Sequence, residues 1–72
     1  MITYDKLWSL LKQRGITQYK LINYYGVSPG QLTRLKRNQN VNIHTIEMLC
    51  DILDCEIGDV VEFRKDKAPY EK

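Results

Sequence analysis

Side chains that could recognise an acceptor-rich partner are concentrated in the middle of the chain. Residues 31–42 read QLTRLKRNQNVN, a run with two arginines, one lysine and several side-chain amides. An arginine guanidinium presents paired donors in a rigid fork that matches two adjacent acceptor atoms, whereas a lysine ammonium acts as a point charge. This combination favours a polyanion that also carries hydrogen-bond acceptors.

The charge of the chain is divided between its two parts. The formal net charge is only +2. Residues 1–46 carry seven lysines and arginines against Asp5 alone, a net +6, whereas residues 47–72 carry four against eight acidic residues, a net −4. Such asymmetry indicates one surface for an anionic partner and another that avoids it.

Catalysis finds little support in the residue types. The single histidine, His44, stands at a predicted helix start, and the sequence contains no glycine-rich phosphate loop. A chain of 72 residues has little room for a deep active-site pocket. We therefore expect no enzyme, no cofactor and no small-molecule substrate.

The two cysteines, Cys50 and Cys55, do not make a disulfide framework. Neither has a second cysteine or histidine at the spacing of zinc ligands, so we expect no metal. Cys50 is expected in the core and Cys55 as a free thiol at a helix end, in a reducing compartment. No stretch approaches the ~20 apolar residues of a membrane span, and the first residues lack the features of a signal peptide. The expected location is the cytoplasm, without membrane contact.

Two short helical patterns joined by a tight break must position the donors. The first spans residues 17–25, with Thr17 as its cap, and the second spans residues 29–37. Gly26 fits the left-handed conformation in which helices often end. Two helices joined by such a short, glycine-containing turn predict a helix-turn-helix motif over residues 17–37.

Several signals agree on where the second helix of the motif begins. Ser28 is a favoured cap residue, and Pro29 follows it at the first helical position. Gln31 stands three residues after Ser28 and would complete an S-x-x-Q capping box. The sequence therefore predicts that the side chains of Ser28 and Gln31 bond the backbone of this helix start.

The remaining elements complete a small helical domain. Apolar stripes predict a helix at residues 4–14, capped by Thr3 and ended by Gly15, and another at residues 43–53, capped by Asn42. A short fifth helix is expected at residues 56–61, and residues 60–64 could form its end or a brief strand. We predict an all-α, five-helix domain over residues 1–64, with an optional C-terminal extended segment, followed by a loose charged tail at residues 65–72.

The helix-turn-helix lies in the basic part of the chain, which favours double-stranded DNA. Its first helix would cross the DNA backbone, and its second would enter the major groove. Arg34 suits the O6 and N7 atoms of guanine, Thr33 suits a thymine methyl group or a phosphate, and Gln31 could read adenine. Basic and amide side chains from residue 36 onward are expected at phosphates. The predicted DNA-binding residues are Thr17, Gln18, Tyr19, Ser28, Gln31, Thr33, Arg34, Lys36, Arg37, Asn38, Asn40 and Asn42.

The motif and its surroundings resemble the phage repressor/Cro-like helix-turn-helix family, also called XRE, over residues 3–63. The chain looks closest to the short, stand-alone bacterial members. The resemblance implies a compact, repressor-like domain that binds double-stranded DNA, commonly as a homodimer on a palindromic operator, and regulates transcription. The matching landmarks are Gln18, Gly26, Ser28, Leu32, Leu35, Asn42, Thr45 and Ile46.

Two features depart from the family pattern. Ile22 stands where the family usually has alanine, and Pro29 and Gly30 stand where it often has base-reading side chains. Arg34 would then carry most of the direct readout, while DNA shape and phosphate contacts supply the rest.

The alternative is a protein-interaction module, because the same fold also serves domains that bind only proteins. It would offer Val60, Val61 and Phe63, or the acidic face of residues 43–53, to a partner. RNA is a weaker option, since the chain lacks an aromatic platform for unstacked bases. For a DNA-binding homodimer, the apolar segment 57–63 is the expected contact between the two copies.

Overall fold

A computed structural model describes residues 1–65 of the chain, which form a mostly helical domain closed by a small sheet. The sheet is antiparallel and pairs Ile2 with Phe63 and Thr3 with Glu62. The elements in chain order are β1 (Ile2–Thr3), α1 (Asp5–Arg14), α2 (Gln18–Asn23), α3 (Pro29–Lys36), α4 (Ile43–Leu53), a single 3-10 turn (Ile57–Asp59) and β2 (Glu62–Phe63).

The core is built from leucines contributed by every α-helix. Leu7 of α1, Leu21 of α2, Leu35 of α3 and Leu49 of α4 are each fully buried. Burying a leucine side chain contributes about 1.5–3 kcal/mol relative to leaving it exposed. Because α3 supplies one of these residues, its inner face is fixed to the other helices and its outer face remains in solvent.

The prediction of five helices is only partly confirmed. Four α-helices form, but the expected helix at residues 56–61 is reduced to the 3-10 turn Ile57–Asp59. The Asp59 carboxylate accepts a hydrogen bond from the Glu56 N–H at 3.1 Å, which closes this single turn. The chain then extends into β2, so the brief strand left open at residues 60–64 is present at Glu62–Phe63.

The expected cap of the first helix is wrong. The helix begins at Asp5, one residue later than predicted, and Tyr4 occupies the cap position without a side-chain cap bond. Thr3 instead lies buried in β1, opposite Glu62. The pairing of the two chain segments therefore takes Thr3 out of reach of the helix start.

The ends of α1 and α4 are joined directly. Gly15 adopts a left-handed conformation with a φ of 67° and ends α1, as predicted. Just before it, the Arg14 guanidinium donates a hydrogen bond to the Leu53 carbonyl at the end of α4. This contact satisfies one of the carbonyls that a helix C-terminus leaves without an intrahelical partner.

The segment expected to meet a partner is partly inside the core. Val60 is fully buried, so its predicted role as a partner contact is wrong. Ile57 and Phe63 are exposed, while Val61 is half-buried. Apart from Lys65, the predicted tail at residues 65–72 lies outside the described residues.

Candidate nucleic-acid interface

The first helix of the motif begins as its sequence predicts. Thr17 has an extended backbone, and its hydroxyl oxygen accepts a hydrogen bond from the Lys20 N–H at 3.1 Å. Gln18 and Tyr19 follow at the first two helical positions, and both are exposed. The cap therefore fixes the point at which these two side chains enter solvent.

The turn between α2 and α3 is held by the backbone. α2 ends at Asn23, two residues before the predicted end, and Gly26 adopts a φ of 76° as expected. The Val27 N–H then donates to the Leu21 carbonyl at 2.9 Å, and the Val27 side chain is buried. The helix-turn-helix geometry thus rests on a left-handed glycine and one inserted valine.

The predicted capping box at the start of α3 is wrong. Ser28 has the extended backbone of a cap residue, but its side chain makes no cap bond. The Gln31 side chain reaches away from its own helix, where its Oε1 atom accepts a hydrogen bond from the Asn42 N–H at 3.1 Å. A partner on the next helix has displaced the local one.

A second donor converges on the same glutamine oxygen. The Thr45 hydroxyl lies 3.1 Å from Gln31 Oε1 and 2.9 Å from Asn42 Oδ1, so its hydrogen is shared between them. Asn42 caps α4 as predicted, because its Oδ1 atom accepts a hydrogen bond from the Thr45 N–H at 2.9 Å. We define Gln31, Asn42 and Thr45 as the α3–α4 clamp.

The outer face of α3 carries cations without partners. Arg34, Lys36 and Arg37 are exposed, and their side chains make no hydrogen bond or ion pair with residues 1–65. Thr33 is also exposed, but its hydroxyl donates to the Pro29 carbonyl at 3.0 Å, so it can act toward a ligand only as an acceptor or through its methyl group. Within residues 1–65, the charged donors that this helix leaves free are therefore its three cations.

The first turn of α3 presents little chemistry of its own. Pro29 and Gly30 provide no side-chain donors, as the sequence indicates. A Cβ atom added at Gly30 would meet only the Ser28 Oγ atom, at 3.7 Å, which is an ordinary contact. The space in front of this turn is thus open.

The chain leaving α3 is fixed to the start of α1. Asn38 adopts a left-handed backbone with a φ of 53°, and its Oδ1 atom accepts a hydrogen bond from the Tyr4 N–H at 3.1 Å. The Tyr4 hydroxyl donates in turn to the Gln39 carbonyl at 2.8 Å. Burial raises the pKa of the Tyr4 phenol above its ordinary value. We define Tyr4, Asn38 and Gln39 as the α1–α3 clamp.

Three of the predicted DNA-binding residues use their side-chain oxygens within the protein. The acceptor oxygens of Gln31, Asn38 and Asn42 are occupied within the protein, whereas Asn40 is exposed and makes no side-chain hydrogen bond within residues 1–65. Tyr4 and Thr45 support the site although the sequence assigned them no role in it. A left-handed asparagine just after a helix was the only local signal for the α1–α3 clamp.

The acidic face of α4 does not resemble a binding site for an anion or a metal. Glu47, Asp51 and Asp54 are exposed along α4 and its end. Within residues 1–65, no three histidine, cysteine or acidic side chains lie close enough together to hold a metal ion, and no helix there is long and apolar enough to cross a bilayer.

Cys50 and Cys55 are free thiols, and burial together with the neighbouring Cys50 raises the pKa of Cys55.

Known proteins share both the sequence pattern and the fold. The pattern of the Cro/C1-type HTH DNA-binding domain matches residues 6–66. The chain is 28% identical over 60 residues to YozG, an HTH-type transcriptional regulator of Bacillus subtilis (strain 168). The matched region covers 81% of this chain and 71% of YozG. The crystal structure of the transcriptional regulator VanUg matches with a TM-score of 0.78 and 34% identity, over 85% of this chain and 81% of VanUg. The chain therefore belongs to the Cro/C1-type helix-turn-helix DNA-binding domains, as its sequence landmarks predict.

Proposed function

We propose that this protein binds double-stranded DNA with sequence preference, as a small transcriptional regulator, and that α3 enters the major groove. One observation carries the proposal: α3 buries Leu32 and Leu35 on one face and presents on the other three cations that have no partner within residues 1–65. A helix with this division can lie in the major groove while its inner face holds it to the domain.

Within this geometry Arg34 is the base-reading residue. It lies in the middle of α3, where its guanidinium can make two parallel hydrogen bonds to guanine. Lys36 and Arg37 lie at the helix end, where they would neutralise phosphates. Thr17, Gln18 and Tyr19 would contact the backbone of the neighbouring strand at the start of α2, and Asn40 would do so beyond α3.

The test compares three alanine variants on a duplex selected from a random pool and on random duplex. Arg34→Ala should lower discrimination between the two duplexes by ~1–3 kcal/mol, because one bidentate base contact is lost. Arg37→Ala should weaken binding to both duplexes equally and reduce the slope of log affinity against log salt by about one. Lys6→Ala removes an exposed charge from α1, outside the motif, and serves as the control for net charge.

Two outcomes would contradict this assignment. An unchanged discrimination ratio in Arg34→Ala would remove its base-reading role. No salt-dependent binding of random duplex by the native chain, at tens of micromolar protein, would instead favour a protein-interaction module.

We also propose that two copies pair on DNA. One chain presents one α3 and would cover one half-site, so a palindromic operator needs a second copy. Ile57 and Phe63 are 58% and 68% exposed, and they are the apolar side chains left outside the core in the segment 57–63. Phe63→Ser should abolish cooperative binding to a two-half-site duplex while single half-site affinity is retained, and unchanged cooperativity would exclude this contact.

A further inference from the structure

We infer that Gln31 is a positioning residue that sets the orientation of α3 through the α3–α4 clamp, and that it does not read bases. This inference rests on the proposed binding of DNA by α3. The carrying observation is the convergence of two donors from the start of α4, the Asn42 N–H and the Thr45 hydroxyl, on one oxygen of Gln31.

The geometry leaves Gln31 poorly suited to adenine. Reading adenine requires the side-chain amide to accept from N6 and donate to N7 at the same time. The Gln31 oxygen already receives the Asn42 N–H at 3.1 Å and the Thr45 hydroxyl at 3.1 Å, and the side chain is half-buried between the helices. Turning it toward DNA would break both contacts.

The clamp is also placed where it can control the reading face. Gln31 lies in the first turn of α3, and Arg34 follows it by three residues, so the two are neighbours along the helix surface. Two parallel hydrogen bonds to guanine tolerate little rotation, whereas a lysine or arginine on a phosphate can adapt. Loss of the clamp should therefore reduce discrimination more than total affinity.

Thr45 separates positioning from direct contact. It is 5% exposed, so it cannot touch DNA in the folded protein. Thr45→Val removes only the hydroxyl, and Gln31→Leu removes the amide while keeping a side chain of similar length. Thr45→Val should lower the ratio of affinities for selected and random duplex about three- to tenfold, as expected for the loss of one hydrogen-bonded contact, and Gln31→Leu, which loses both contacts, should lower it at least as much.

The double variant supplies the decisive comparison. Because Gln31→Leu already removes both contacts of the clamp, adding Thr45→Val should lower the ratio no further than Gln31→Leu alone. If Thr45→Val leaves the ratio at the native value while Gln31→Leu lowers it, or if the two effects add, Gln31 contacts DNA itself and the inference fails. Thermal unfolding followed by circular dichroism establishes that each variant is folded.

A measurement without DNA tests the contact itself. Asn42 precedes α4, and Gln31 Oε1 is the partner of its N–H, so Gln31→Leu should accelerate amide hydrogen exchange at Asn42. Gln31→Glu keeps an acceptor oxygen and should restore the protection. Unchanged exchange in Gln31→Leu would overturn the inference even if DNA binding is confirmed. A native chain that binds no duplex, with Asn42 still protected by Gln31, would instead overturn the proposed function and leave the contact established.

Discussion

The two ends of α3 are fixed in opposite ways. At its start, a side chain of the helix itself, Gln31, is used to hold α4. At its end, the holding residue is Asn38, which lies beyond the helix and binds Tyr4 through its side chain. At the start of α3, the Gln31 oxygen is therefore occupied by a contact within the protein. At the end, Lys36 and Arg37 have no such contact within residues 1–65. A polar anchor that lies beyond the helix leaves the exposed polar side chains of α3 available to a partner.

The largest loss of stability should come from a substitution on the buried face of α3, between its two ends. Leu35 is fully buried, and Leu35→Ala should lower the free energy of unfolding by ~2–5 kcal/mol through lost burial and a cavity. Urea denaturation followed by circular dichroism measures the change. Arg34→Ala, one position earlier and exposed, should stay within about 0.5 kcal/mol of the native chain. A loss below about 1 kcal/mol for Leu35→Ala would mean that α3 is not anchored here.

The next effect should come from the end of α3. Asn38→Ala removes the acceptor of the Tyr4 N–H. It also places an alanine at a φ of 53°, a left-handed conformation that alanine rarely adopts. The expected loss of stability is ~1–3 kcal/mol, chiefly from the unsatisfied donor.

Asn38→Gly separates the two causes, because glycine keeps the left-handed backbone but not the acceptor. Denaturant midpoints of the two variants should differ, with Asn38→Gly the more stable. Equal stabilities would mean that the backbone conformation contributes nothing at this position.

A smaller, pH-dependent effect should come from Tyr4. Tyr4→Phe loses the hydrogen bond to the Gln39 carbonyl and should cost ~0.5–1.5 kcal/mol at neutral pH. Burial raises the pKa of the native phenol above 10.0, so the unfolded chain releases this proton first. The contribution is fully present below pH 10.0 and is lost as pH rises through the native pKa.

Denaturation at a series of alkaline pH values measures this loss. Stability of the native chain should fall more steeply than that of Tyr4→Phe once the unfolded phenol ionises. Parallel curves would contradict the burial of a protonated phenol at this clamp.

The smallest effect should come from the start of α3. Ser28→Ala should change stability by less than about 0.5 kcal/mol, because the Ser28 side chain makes no cap bond. Thr17→Ala, at the start of α2, should cost ~1 kcal/mol, since its hydroxyl accepts the Lys20 N–H. Thermal unfolding of the pair measures the difference. Equal losses would indicate that Ser28 caps α3 after all.

The parts of the fold that could be predicted are those with partners nearby in the sequence. Thr17 and Asn42 were identified as caps because each bonds an N–H three residues ahead. Gly15 is predictable as a helix end and Gly26 as a turn residue, because a left-handed backbone is a local requirement. For these residues the sequence contains both partners of the interaction.

The hydrogen bonds that the sequence does not predict are those whose partner lies far away along the chain. Gln31 satisfied the capping-box pattern, but its partners stand 11 and 14 residues later. The Asn38 Oδ1 atom likewise has its partner, the Tyr4 N–H, 34 residues earlier, and no local pattern indicates this contact. The pairing of β1 with β2 joins the two ends of the described chain and was invisible to helical periodicity. Local chemistry proposes a partner for each polar group, and the tertiary fold then selects among the competitors.

Gly30 gives this domain room to acquire new preferences. Its backbone is helical, and an added Cβ would meet only Ser28 Oγ at 3.7 Å. Replacing glycine inside a helix generally favours the helix, by up to about 1 kcal/mol for alanine. A side chain there would extend from the outer surface of α3 without disturbing either clamp. If α3 reads DNA as proposed, a substitution at Gly30 would add a base contact, and so change the preferred sequence, without loss of the fold.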